Sequence, residues 1–254
     1  MSAITPRTAG GFSLEDFLHQ TLSALQLDFT ERQRQQLLDY TALLQRWNRV
    51  FNLTAVRDLE GIARLHLADC LAALPALQRL APQRLLDVGS GGGLPGIVFA
   101  IGLPEAEVHL IDAVQKKCAF LQQTSGSLQL RQVSVHHARV EALADARGFD
   151  CMTSRAFSDL PLLIQSTRHL LADGGQWCAM KGQTPRDEIM ALPADVATQI
   201  EPLQVPGLDA QRCLVWLRLT SADRRFRGRA IGSGTIQPRL SQKSVGLLTQ
   251  HRFT

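Results

Sequence analysis

Asp87-Val88-Gly89-Ser90-Gly91-Gly92-Gly93-Leu94-Pro95-Gly96 is the stretch on which the reading of the whole chain turns. It follows the leucine-rich run 85–88 and precedes an apolar helical stretch at 95–101, so it reads as a turn from a strand into a helix. The glycines let the backbone reverse tightly and approach a ligand closely. Pro95 suits a first helical turn, where its missing N–H costs nothing. Outward from this turn the same unit recurs. Short β-branched or leucine-rich runs lie at 108–112, 133–136, 149–153, 176–181 and 213–219, with helical stretches at 114–128, 140–146 and 160–171 between them. Strands alternating with helices predict a mainly parallel sheet with right-handed crossovers. Residues 199–205 and 213–219 are expected to close it as an antiparallel pair, joined through Gly207-Leu208-Asp209.

Upstream of this alternation the pattern is helical. Leu14, Phe17, Leu18, Leu22 and Leu25 fall three and four apart, as do Leu37, Tyr40, Leu44, Trp47 and Phe51, with Ser13 and Thr30 placed to cap the two helices. The expected organisation is therefore a helical cap at 12–80, an α/β domain at 81–220 and a tail at 221–254. The tail carries Arg224, Arg225, Arg227, Arg229, Arg239, Lys243 and Arg252 against Asp223 alone, on a body that is slightly acidic. It has no sustained periodicity and is expected to be flexible. Its charge fits a polyanionic partner, and equally an ordinary solvated terminus. The five cysteines are at least 27 positions apart, which leaves no C-x-x-C metal or redox pair. Reduced thiols, a cytoplasmic location and no metal are expected. Met1 to Gly11 lacks the apolar core of a signal peptide, and no apolar run is long enough to span a bilayer.

The glycines alone do not choose a ligand, because Gly91, Gly93 and Gly96 also satisfy the dinucleotide pattern G-x-G-x-x-G. Asp87 decides. A carboxylate at the strand end, expected to face the ligand, would repel a pyrophosphate. It suits S-adenosyl-L-methionine, which carries a sulfonium and an ammonium and no phosphate. Asp112 ends the second strand and is placed to accept hydrogen bonds from both ribose hydroxyls. Further contacts are expected where later strands end, at Val140-Glu141 and at Arg155.

Beyond the glycine loop, the chain carries Arg46-Trp47-Asn48 with Phe51-Asn52-Leu53-Thr54, then Ser154-Arg155-Ala156-Phe157, then Met180-Lys181-Gly182-Gln183. With these it resembles the RsmG family (glucose-inhibited division protein B), the 16S rRNA guanine-N7 methyltransferases, from about residue 37 to 219. The resemblance implies a Rossmann-like class I methyltransferase fold: a mainly parallel seven-stranded sheet with helices on both faces, plus an N-terminal helical cap. It places the cofactor on Gly89, Leu94, Val140, Glu141 and Arg155, and agrees with the physical reading of Asp87, Gly91, Gly93 and Asp112. Arg155 is also the residue expected to position substrate and methyl group. The implied partner is 16S rRNA, in the small ribosomal subunit or an assembly intermediate. His66 and Asp69 match the family's His-x-x-Asp, although Leu65 stands where an arginine is usual and Cys70 where a serine is usual. Trp47 and Phe51 read as core, and Asn52 and Thr54 as supports of the cap.

The target atom is read partly from what is missing. The chain has no Pro-Pro pair, so it lacks the Asn/Asp-Pro-Pro-aromatic motif of exocyclic-amine methylation, and no cysteine follows a proline as in cytosine C5 methylation. Guanine N7 offers a free lone pair, so direct in-line attack needs no general base, and His136 and His137 are expected to be spectators. Two other readings stay open. A methyltransferase for a small molecule or a protein would leave the cap motif and basic tail without a role, and one acting on another RNA is a further alternative. A non-catalytic ribosome-assembly factor would have no need for both Asp87 and the full glycine set.

Overall fold

The computed structural model describes residues 11–220. The expected tail at 221–254 and residues 1–10 lie outside the described residues. The helical region begins with α1 (Leu14–Ala24) and α2 (Glu31–Phe51). The Ser13 hydroxyl accepts from the Asp16 amide, and Thr30 with Gln33 forms a reciprocal capping box, so orphan amides at both helix starts are satisfied. A short α3 (Leu59–Ile62) runs through a π-helical turn, Ala63–Leu67, into α4 (Ala68–Leu80).

The sheet then alternates strands with helices: β1 (Arg84–Val88), α5 (Gly96–Gly102), β2 (Glu107–Asp112), α6 (Gln115–Ser127), β3 (Val133–His137), β4 (Phe149–Arg155), α7 (Leu160–Thr167) and β5 (Leu171–Lys181). It ends with a short α8 (Arg186–Met190), then β6 (Val196–Leu203) and β7 (Arg212–Leu219). The strand order is β3-β2-β1-β4-β5-β7-β6, with β7 antiparallel to both neighbours. The seven-stranded, mainly parallel sheet and its closing antiparallel pair are as expected. The order reverses between β1 and β4, the crevice where open α/β sheets bind ligands.

Two expected helices are shorter than their sequence patterns. Residues 140–146 form only a 3₁₀ turn, Val140–Ala142. The Asp145 carboxylate accepts from the Arg147 and Gly148 amides and pairs with Arg84, so a local side-chain turn outcompetes the helix. The helix at 160–171 ends at Thr167, and β5 starts at Leu171, where the chain pairs with Phe149. Thr167 Oγ1 accepts the buried Trp177 indole N–H at 2.8 Å, which anchors that junction.

Strand alternation sorts side chains to two faces. Leu85 of β1 and Cys151 of β4 belong to the core that the cap helices share, whereas Leu86 and Met152 belong to the opposite core beneath α7. The cap is packed on the sheet layer rather than tethered beside it. Gln33 and Gln36 donate to the carbonyls of Ile101 and Leu128, and the Trp47 ring lies 5.4 Å from Phe120. The buried Tyr40 hydroxyl donates to the Gly92 carbonyl at 2.6 Å, tying α2 directly to the glycine loop. No described helix is long and apolar enough to cross a membrane.

Candidate functional site

At the carboxyl ends of β1, β2 and β4 lies a cavity of about 270 Å³, lined by Gly89, Asp112, Lys117, Val140, Glu141 and Phe157 among others. Gly89 has φ +71°, and a Cβ there would stand 2.6 Å from the Phe157 ring, so conformation and close approach both demand glycine. Asp112 is almost fully buried, with one oxygen accepting the Gly91 amide at 3.0 Å and the other the Val114 amide at 2.9 Å. Each oxygen keeps a further lone pair for a ligand hydroxyl.

Most of the loop amides are already engaged. Gly89 and Ser90 donate to the Ile111 carbonyl, Gly93 to Ser90, Gly91 to Asp112 and Gly96 to Asp87. A pyrophosphate cradle needs such amides free, so the loop fits a phosphate-free ligand.

Asp87 is not on the cavity wall where a ligand-facing carboxylate was expected. Alternation along β1 turns it with Leu85 towards the cap-side face, beneath α5, where Oδ2 accepts the Gly96 amide at 3.0 Å. Its Oδ1 is buried with no partner. Burial pushes its pKa up to about 7, against the opposing pull of the Ser90 and Gly96 hydrogen bonds and of Arg155. A buried acid with an open oxygen beneath the loop fits a cationic ligand. Gly93 and Leu94 also face the interior, Gly93 against Ile97 and Leu94 within the cap-side core. The structure thus brings Gly89, Asp112, Val140 and Glu141 to the cavity, while Asp87, Gly91, Gly93 and Leu94 support it from behind.

Arg155 stands elsewhere. The same alternation that turns Asp87 to the cap side turns Arg155 there too, into a second cavity of about 330 Å³ with Asp69, Lys181, Gly182, Arg212 and Cys213. Ala156 lines both cavities, in the left-handed region at φ +55°. That backbone sends Arg155 to one side and Phe157 to the other, a strained conformation of the kind held at functional sites. Arg155 Nη1 lies 3.1 Å from His66 Nδ1 and 3.6 Å from Asp69, whose other oxygen accepts Arg212 Nε at 2.9 Å. Lys181 pairs with Glu188 at 2.8 Å and donates to the Ser158 carbonyl. The Asp69 carboxyl is raised by burial, with both arginines working against that rise.

Sequence reading missed Arg212, Glu188 and Tyr40 as site residues. Arg212 begins a strand 143 positions from Asp69, and no local spacing signals that pairing. His136 lines neither cavity; it stacks on His109, with Nε2 at 2.9 Å from His109 Nδ1.

The strand order, the glycine turn with its engaged amides and a cavity at the switch point place the chain among proteins of the class I methyltransferase fold. A solved methyltransferase from Geobacter sulfurreducens shares that fold, with a TM-score of 0.50 at 15% identity over 71% of this chain and 90% of that one. Sequence similarity is far closer to proteins named ribosomal RNA small subunit methyltransferase G. That of Acidovorax sp. (strain JS42) is 51% identical over 81% of this chain and 96% of its own length. That of Leptothrix cholodnii is 49% identical over 80% and 94%. The family described as rRNA small subunit methyltransferase G matches residues 33–215, and the chain belongs to it.

Proposed function

We propose that the chain transfers the methyl group of S-adenosyl-L-methionine to N7 of a guanine in 16S ribosomal RNA, in the cytoplasm, by direct in-line attack. The family supports the methyl transfer and the small-subunit rRNA substrate. One observation carries the choice of atom: the acid–base groups of the second cavity are already engaged. Asp69 is shared by two arginines, Lys181 by Glu188 and Ser158, and His66, which adjoins the cavity, by Thr54 and Arg155. Burial raises the Cys213 thiol, which keeps it from being a ready nucleophile. An acceptor that must lose a proton is poorly served there, whereas guanine N7 loses none. Catalysis then rests on positioning and on electrostatics. In this reading the first cavity takes the cofactor, with Asp112 on the ribose and Val140 and Glu141 at the adenine. Gly89 and Leu94 shape the loop around it, and Asp87 supplies negative charge from beneath. Arg155 lines the second cavity, next to Ala156, which lines both, and orients the acceptor, and the cations around it suit the flanking phosphates.

Mapping of methylated RNA tests the assignment: 7-methylguanosine in small-subunit RNA should depend on this protein. At saturating substrates, the single-turnover rate should be nearly flat between about pH 6.5 and 8.5, where a base-limited rate would climb about tenfold per unit. A slope of one that vanishes in His136→Ala or His137→Ala would overturn the base-free mechanism.

Asp112→Ala is expected to weaken S-adenosyl-L-methionine binding about tenfold to a hundredfold, on the order of 1–3 kcal/mol. It also frees the Gly91 and Val114 amides, so a modest fall in thermal stability should accompany it. Calorimetric titration reporting unchanged affinity would remove Asp112 from the site.

A further inference from the structure

We infer that His66 is a positioning residue for methyl transfer, acting through Arg155; the inference rests on Arg155 facing the acceptor, as proposed above. His66 lies in the π-helical turn between α3 and α4, an irregularity that recurs where helices re-aim a side chain. Its ring bridges two elements. Nδ1 lies 3.1 Å from Arg155 Nη1, at the end of β4, and Nε2 lies 2.5 Å from Thr54 Oγ1, in the loop after α2.

The chemistry of the partners fixes the tautomer. A guanidinium has donors only, so Nδ1 must accept. The ring proton then sits on Nε2 and is donated to Thr54. Burial and the adjacent Arg155 charge hold the pKa near 4, so the ring stays neutral under physiological conditions and keeps that acceptor available. Thr54 is itself held in place. Its amide donates to the buried Asn48 side chain at 2.8 Å, and Asn48 donates to the Val56 carbonyl at 2.7 Å.

The same Arg155 Nη1 lies 3.6 Å from Asp69, which Arg212 anchors to β7. The guanidinium is thus gripped at Nη1 from the cap. Meanwhile its Nε is buried with no partner, so the pose is not the one that best satisfies Arg155 alone. Two acceptors converging on Nη1 set the direction of the guanidinium, and displacing a positioning group by about 1 Å can cost about a hundredfold in rate.

The test compares His66→Ala, His66→Asn and His66→Gln in the full chain, acting on small ribosomal subunits. An asparagine oxygen can take the place of Nδ1, whereas a glutamine amide reaches the place of Nε2 and faces Thr54. Single-turnover transfer of labelled methyl should fall about tenfold to a hundredfold in His66→Ala, with S-adenosyl-L-methionine affinity within about twofold of the parent. His66→Asn should recover most of that loss, and His66→Gln should not. A His66→Gln rate that matches or exceeds His66→Asn would make the residue a support of the Thr54 loop and overturn the inference. A His66→Ala rate within about twofold of the parent would overturn it as well. Digestion of the same product identifies the methylated nucleoside. A product other than 7-methylguanosine overturns the acceptor assignment, while the ranking of the three variants still decides the role of His66.

Discussion

Asp87→Asn is expected to remove a pH-dependent loss of stability amounting to about 4 kcal/mol in the ligand-free protein. The parent carboxyl has its pKa raised from 3.8 to about 7 by burial. A group raised on folding contributes fully below its unfolded value, where it is protonated in both states. That contribution is then lost as pH rises from about 4 through about 7, at about 1.4 kcal/mol per unit. Asparagine keeps the acceptor for the Gly96 amide but cannot ionise. Its amide nitrogen would inherit the unpartnered position of Oδ1 at a cost of about 1–3 kcal/mol, so the net gain at pH 8 is smaller than the full linkage. Subtracting variant from parent stability, by denaturant titration at each pH, isolates this group from others such as Asp145. A flat difference between pH 4 and 8 would sink the idea. The same substitution tests the proposed field on the cofactor. A cation above the loop drives Asp87 to ionise, so binding by the parent at pH 6 should release close to one proton from this group and binding by the variant none. Calorimetry in buffers of differing ionisation enthalpy reads that proton directly, and equal release in both proteins would take Asp87 out of the cofactor's field.

Gly96→Ala should lower stability by about 2 kcal/mol and the melting temperature by about 4–8 °C. Helix propensity alone argues the other way, favouring alanine by about 1 kcal/mol. Packing wins because the new Cβ would lie 2.3 Å from Leu110 Cδ2, 2.6 Å from Asp87 Oδ2 and 2.9 Å from Asp87 Cβ. The leucine methyl can move aside, but Asp87 Cβ moves only with β1. Gly126 of α6 provides the control, since a Cβ there meets nothing within 4 Å. Gly126→Ala should therefore stabilise by about 0.5–1 kcal/mol. Thermal melts of the two variants should move in opposite directions. A Gly96→Ala protein as stable as the parent would mean that the close packing of α5 on β1 is not a constraint.

Local patterning was enough for much of the fold. Short β-branched or leucine-rich runs marked the strands, three-and-four spacing marked α1 and α2, and Ser13 and Thr30 announced their caps, because each signal depends on residues close in the chain. The glycine turn between strand and helix was likewise legible, and Gly89, Asp112, Val140 and Glu141 do meet at one cavity. Local signals failed where a distant partner decided the outcome. Residues 140–146 carry helical spacing, yet Asp145 is drawn into a turn and an ion pair with Arg84. Helix α7 stops early because Thr167 and Leu171 are claimed by Trp177 and Phe149. The facing of Asp87 and Arg155 was also beyond reach. Alternation says that neighbours along a strand point oppositely, but only the packed layers say which face the cap covers.

What the sequence determined by itself was the class of fold, the glycine turn and the presence of a helical cap, since these follow from short-range spacing and from the chemistry of single residue types. What only the tertiary structure decided was the second cavity. Thr54, the neighbouring His66 and Asp69 of the cap region, Arg155 of β4 and Arg212 of β7 come from four separate places in the chain. They converge because packing the cap against the sheet brings their polar side chains together from distant positions, where pairing offsets the cost of burying them.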